Sequence, residues 1–309
     1  VGESMSFDTL IEKIQEKDNP TVGGLDPKLE YVPTFIVEEA IAKHGETLKA
    51  AAKAIYKFNK ALIDALHDVV PAIKPQCAYY EMYGYEGVKT LYKTIRYAKK
   101  RGMYVITDGK RNDIGTTMEA YATAHLGKVK VGDTEIEPFA GDALTVNGYL
   151  GTDGISPLLD VCDKYDKGIF VLVKTSNPSS GELQDKLING TSVYRTVGDM
   201  CEKWGEGRIG KYGYSSVGAV VGATYPEQLE ELREALPSTF FLVPGYGAQG
   251  GGAAAVASAF DKNGIGAVIN SSRAIMCAYK NEGCDERDFA AAALREALRM
   301  KNDIQNNVK

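Results

Sequence analysis

Eight short runs of apolar and β-branched residues alternate with longer amphipathic stretches along nearly the whole chain. The runs cover residues 21–25, 69–73, 103–108, 143–146, 169–174, 217–222, 240–243 and 267–270. Each is too short for a helix, and most are apolar on both faces, the pattern of a parallel sheet covered on both sides. The stretches between them, 48–66, 87–101, 118–126, 154–164, 192–204, 226–236, 252–262 and 285–300, have helical spacing. In the first, Leu48, Ala51, Ala52, Ile55, Phe58, Asn59, Leu62 and Leu66 recur every three or four positions. Eight strands, each followed by a helix, predict an α/β fold of the (β/α)8 TIM-barrel type, with a doubly wound open sheet as the alternative. Residues 7–16 predict an extra helix ahead of the first strand, and 33–46 an insertion before the first long helix. No linker, composition break or repeat divides the chain, so 1–309 is expected to be a single domain. Residues 1–4, ahead of Met5, read as a cloning remnant and carry no argument.

Composition narrows the function. The 309 residues carry a formal charge of −5, which argues against nucleic acid or an anionic membrane surface as the main partner. One small anion held by a few local cations remains compatible with it. The five cysteines (Cys77, Cys162, Cys201, Cys277, Cys284) form no CxxC pair, and His44, His67 and His125 are isolated from one another. Free thiols in a reducing, cytoplasmic setting and no structural metal are therefore expected. No apolar run approaches the length of a membrane span, and no signal-peptide core opens the sequence.

In a barrel of this kind the chemistry sits at the carboxyl ends of the strands. Polar groups gather there: Asp26 after the first run, Lys74 at the second, Asp108, Lys110 and Asp113 at the third, Ser176 after the fifth, Gly247 and Gln249 after the seventh, and Arg273 after the eighth. Asp108 and Lys110 are two apart, so on an extended strand they share a face. If that face is the interior, a carboxylate and an ammonium lie side by side at the mouth. Lys74 would extend this into an alternating row in which each charge keeps its neighbours ionised. The plainer reading is a solvated loop with incidental ion pairs.

Gly245-Tyr-Gly247-Ala-Gln249-Gly250 matches GxGxxG after a strand, but the acidic residue a dinucleotide site needs about 20 positions on is absent and Arg273 stands there instead. A phosphate cradle is the better reading, with backbone N–H groups, Gln249 and an Arg273 clamp. Thr175-Ser176-Asn177-Pro178 can read a polar ring edge or simply turn the chain. Tyr79, Tyr80, Tyr83 and Tyr85 are expected to pack beneath a loop.

Taken in order, Gly24-Leu25-Asp26, Lys74, Asp108-x-Lys110-x-x-Asp113-Ile114, Pro244-Gly245-x-Gly247-Ala248-Gln249 and Arg273 resemble the orotidine 5′-phosphate decarboxylase family, over roughly residues 21 to 280. Chain length, Lys74-Pro75-Gln76 and Thr175-Ser176-Asn177-Pro178 resemble its longer branch. The resemblance implies decarboxylation of orotidine 5′-phosphate to uridine 5′-phosphate, the last step of de novo UMP synthesis, with no metal or organic cofactor. By the same resemblance Lys110 protonates ring carbon 6, Asp108 faces the substrate carboxylate, and Lys74 and Asp113 complete the row. Asp113, Ile114 and Thr117 would come from the other subunit of a homodimer. Asp26 and Lys74 would bind the ribose, Ser176 the pyrimidine, and Gln249 and Arg273 the phosphate beside Gly247. The family's shorter members carry a histidine where strand 4 ends here in Thr145-Val146-Asn147-Gly148. Rival readings are a magnesium-dependent sugar-phosphate decarboxylase or hexulose-phosphate synthase with the same D-x-K-x-x-D block, a non-catalytic phosphosugar-binding module, and an NADP-dependent oxidoreductase.

Overall fold

The computed structural model describes residues 6–247 and 252–308; residues 1–4 and Gln249 lie outside them. Eight parallel strands close into a barrel. They are β1 (Thr21–Leu25), β2 (Ala72–Pro75), β3 (Tyr104–Arg111), β4 (Ala143–Val146), β5 (Gly168–Lys174), β6 (Val217–Val221), β7 (Phe241–Val243) and β8 (Ala267–Ser271). Each pairs with its neighbours in sequence, and β1 closes on β8 through Thr21↔Ile269 and Val22↔Asn270. This is the (β/α)8 barrel that the alternating pattern predicts, not the open sheet.

The barrel interior is packed by Val22, Ala72, Ile106, Phe170, Val220, Leu242 and Val268. Two outer apolar layers lie between strands and helices. The extra amino-terminal helix, Ser6–Lys17, plugs the floor. Phe7 is fully buried there, its ring centroid 4.7 Å from that of Phe170 and 5.5 Å from that of Phe240. Gly168 makes room for it, since a Cβ on Gly168 would lie 2.7 Å from the Phe7 ring.

Among the elements whose bounds differ from those expected, four do so for identifiable local reasons. The second strand is Ala72–Pro75, because Val69 and Val70 donate their N–H groups to Leu66 O and so finish the preceding helix. The stretch 252–262 makes only one turn of α-helix, Ala253–Val256, and a 3-10 turn, Ala257–Ala259. Beyond it Asp261 Oδ1 accepts from the N–H groups of Asn263 and Ile265, a local bonding that competes with helix. The last helix runs Phe289–Val308, its start delayed by a 3-10 turn that Asp285 caps through Arg287 N. The third strand reaches Arg111, three residues further than expected, through a bulge.

Candidate active site

At the carboxyl ends of the strands lies a cavity of about 280 Å³ lined by Lys74, Asp108, Lys110, Thr145, Thr175, Ser176 and Asn177, with apolar walls from Leu172, Val220, Leu242 and Pro244. A larger cavity, about 450 Å³, opens at the opposite end between the first and last helices, around Ile14, Pro20, Ile265 and Ile304. The smaller one is the candidate site, because it alone of the two collects the charged strand ends.

Its centre is one carboxylate held by two ammonium groups. Asp108 Oδ2 accepts from Lys74 Nζ at 2.7 Å, and Oδ1 accepts from Lys110 Nζ at 2.7 Å. Asp108 and Lys74 are each 5% exposed, whereas the Lys110 side chain keeps 45% exposure and faces the cavity mouth. Burial alone would raise the Asp108 carboxyl, but the charges and hydrogen bonds of Lys74 and Lys110 outweigh it and hold it well below the usual carboxylate range. Burial likewise disfavours the Lys74 ammonium, yet Asp108 and then Asp26 raise it above its ordinary value. The buried Lys74–Asp108 pair therefore stays ionised at neutral pH.

Asp108 and Lys110 meet on one face, but not along a straight pleat. The register jumps from Thr107↔Leu144 to Arg111↔Val146, and Lys110 adopts φ +47°. The bulge swings the ammonium back onto the carboxylate two residues earlier. Thr145, which sequence reading passed over, bonds both residues: its Oγ1 donates to Asp108 Oδ1 at 2.7 Å and accepts from Lys110 N at 3.0 Å. The available signal was its place two residues after Ala143, which faces the barrel interior.

Other expected residues surround the row. Asp26 follows β1, and its Oδ1 is buried with no hydrogen-bond partner in the described structure. Ser176 lines the cavity wall. Its loop is pinned by Gln184, whose Oε1 accepts from Thr175 N at 2.9 Å and whose Nε2 donates to Thr175 Oγ1 at 2.7 Å. The fully buried Lys174 ties the same segment down through Asp185 at 2.6 Å and Ser180 at 3.2 Å. Gly245 and Gly247, at φ +97° and +75°, make the turn after β7. Arg273 opens the short helix after β8, exposed and without an ion pair among the described residues.

Asp113 does not join the row within this chain. Its Oδ1 accepts from its own neighbour's amide, Ile114 N, at 2.8 Å, and no ion pair to it exists among the described residues. Ile114 is 51% exposed, and Thr117 is also exposed, so both face away from this chain's own cavity wall. Of the four tyrosines expected to pack, Tyr80 and Tyr83 are buried in an outer apolar layer and Tyr79 is half-buried against it, while Tyr85 is exposed. All five cysteines are free thiols. Among the described residues no three His, Cys, Asp or Glu side chains converge as a metal-ligand set, and no helix is long and apolar enough to cross a membrane.

The family model described as "Orotidine 5′-phosphate decarboxylase / HUMPS family" matches residues 43–283. The chain belongs to this family. A curated relative from Rhodopirellula baltica, named orotidine 5′-phosphate decarboxylase, is 44% identical over 306 residues, covering 97% of this chain and 99% of the relative. One of the same name from Caldicellulosiruptor bescii is 41% identical over 274 residues, covering 89% and 90%. The chain also resembles the structure of Leishmania donovani OMP decarboxylase, with TM-score 0.71 and 29% identity over 96% of this chain and 99% of that one. Family membership thus rests on sequence across nearly the full length, and the barrel on structure as well.

Proposed function

We propose that the chain decarboxylates orotidine 5′-phosphate to uridine 5′-phosphate without a cofactor, closing de novo UMP synthesis. The observation that carries this reading is the Lys74–Asp108–Lys110 row at the inner end of the cavity, in a chain whose near-full-length relatives bear that enzyme's name.

The chemistry follows from the charges. Breaking the bond between ring carbon 6 and the carboxylate leaves the electron pair on that carbon as carbon dioxide departs. The Lys110 ammonium, already oriented by Asp108, stabilises that pair as it develops and then gives it a proton, which solvent returns to the amine. Asp108 faces the substrate carboxylate before departure and neutral carbon dioxide after it, so their repulsion is relieved along the reaction. Asp26, with a buried acceptor oxygen unused, suits a ribose hydroxyl, and Lys74 lies beside it. Ser176 takes the pyrimidine edge. Gly247, Gln249 and Arg273 hold the phosphate, whose remote binding helps offset the cost of the carboxylate contact.

Asp113, Ile114 and Thr117 complete the partner's site in a homodimer, a reading supported by the exposure of Ile114 and Thr117 and by the absence of an ion pair to Asp113 among the described residues. Sedimentation at working concentration is expected to give a dimer, and a monomer that is fully active would remove this part of the reading. The magnesium-dependent sugar-phosphate branch is not favoured, because both oxygens of Asp108 are already committed to lysines and would have to be released to bind a cation.

The deciding experiment follows orotidine 5′-phosphate by ultraviolet absorbance with excess chelator present. Loss of the substrate band with formation of uridine 5′-phosphate is expected. No change with folded protein would overturn the reading in favour of the sugar-phosphate branch.

A further inference from the structure

We propose that Thr145 is a positioning residue that locks the Asp108–Lys110 pair in its reactive geometry through a closed ring of hydrogen bonds. The inference deepens the decarboxylase reading above and rests on it for its kinetic test.

The bulge on β3 sets the problem that Thr145 solves. Pairing with β4 stops at Thr107↔Leu144 and resumes at Arg111↔Val146, so three residues of β3 lie opposite the single residue Thr145. A ladder cannot serve three residues from one. Lys110 is left at φ +47°, a region that a residue with a side chain occupies only when its surroundings hold it there. Its amide reaches the Thr145 hydroxyl at 3.0 Å, and that hydroxyl lies 2.7 Å from Asp108 Oδ1. An amide N–H can only donate and an ionised carboxylate can only accept. The hydroxyl proton is therefore committed to Asp108. Lys110 Nζ returns to the same oxygen at 2.7 Å, so the backbone and the head of one lysine are both referred to one carboxylate. Thr145 is 1% exposed, which leaves no ready access for water to replace the hydroxyl.

The groups facing this carboxylate are Lys74 from β2, Lys110 from its own strand and the Cys77 thiol just past β2, with Asp26 acting on Lys74 from the end of β1. Burial pushes that thiol up to about 12, so it stays neutral and does not compete in the acid range.

The test compares Thr145→Val, which keeps the shape and removes the hydroxyl, with Thr145→Ser, which keeps the hydroxyl. Thr145→Val is expected to lower kcat about 10- to 100-fold, the scale of one hydrogen bond to a charged group, with KM changed less than about threefold. Its acid limb moves to higher pH, because the ionised carboxylate has lost a donor. Thr145→Ser is expected to stay within about threefold of wild type in kcat, since the hydroxyl ring is retained. Unchanged kcat and acid limb in Thr145→Val, or an equal loss in Thr145→Ser, overturns the proposal. If Thr145→Val does not fold, Thr145→Cys replaces it with the same criteria. Should the wild type not turn over orotidine 5′-phosphate, the functional reading fails by itself, and the ring is then read without substrate from the carbon-13 titration of the Asp108 carboxyl. There the hydroxyl-free variant titrates at higher pH than wild type, having lost a donor to the ionised form, and coincident curves overturn the proposal.

Discussion

Gly24 and Ser272 touch so closely across the seam between β1 and β8 that a Cβ on Gly24 would lie 1.8 Å from Ser272 Oγ and 3.0 Å from its Cα. Moving the hydroxyl aside would not relieve this, because the backbone itself is in the way. Asp26 lies two residues past Gly24 and Arg273 one residue past Ser272, so the contact sets the spacing between the proposed ribose and phosphate groups. Gly24→Ala is expected to cost about 1–3 kcal/mol, the usual scale of overpacking, and to weaken uridine 5′-phosphate binding. Urea unfolding and titration calorimetry check both. Unchanged affinity would mean that the seam does not set the site's width.

Lys110 can be removed without stranding its neighbour. In Lys110→Ala, Asp108 keeps Lys74 at 2.7 Å and Thr145 at 2.7 Å. Turnover is expected to fall by at least about 10²- to 10³-fold, the effect of deleting one group aimed at developing charge. Binding of uridine 5′-phosphate should stay near that of the wild type. Near-normal turnover in a clean preparation would sink the role assigned to this lysine.

Lys74 differs because it is buried. Lys74→Met leaves the Asp108 carboxylate short of one of its two cations in a site from which water is largely excluded. Breaking a buried pair by deleting one partner costs about 3–5 kcal/mol. The loss should appear in urea unfolding, and Asp108→Asn added to Lys74→Met should recover part of it. A single variant as stable as wild type would contradict the arrangement.

His125 makes the fold sensitive to mild acid. It is 4% exposed, stacks on Phe139 with centroids 5.2 Å apart, and its Nδ1 has no partner in the described structure. Burial, and then the charge of Arg111, pull its titration down to about 4. The unfolded chain takes up this proton near pH 6.5, so stability is undiminished above that value. It then falls as pH drops from 6.5 towards 4 and changes no further below. Between pH 6.5 and 5 the loss from this group is about 2 kcal/mol. His125→Phe should flatten that part of the profile in urea unfolding. An identical slope in the variant would place the acid sensitivity elsewhere.

Much of the fold could be read from period and punctuation. The 21–25 and 143–146 runs and the 48–66 helix match the structure residue for residue, because apolar faces with clear stops leave little freedom. The second strand was misplaced because Val69 and Val70 have strand-like side chains while their amides serve a helix end. Hydrogen-bond allegiance does not show in side-chain type. Asp108 and Lys110 were found for a sound reason, the shared face of alternate residues, yet a bulge brings them together. Thr145 stayed hidden because its role exists only opposite that bulge. Asp113 was recognisable by motif, but in the folded chain its carboxylate accepts from Ile114 N and stays out of the row, which no motif shows.

The aromatic stopper formed by Phe7 against Phe170 and Phe240 has a consequence for traffic. With its floor sealed, the barrel is a well with one opening. The row stands at the inner end, Asp108 nearly inaccessible and Lys110 nearer the rim. A fragment released beside Asp108 has to leave past whatever still fills the mouth, so under the proposed reaction the gas and the nucleotide share one exit and their departures are coupled.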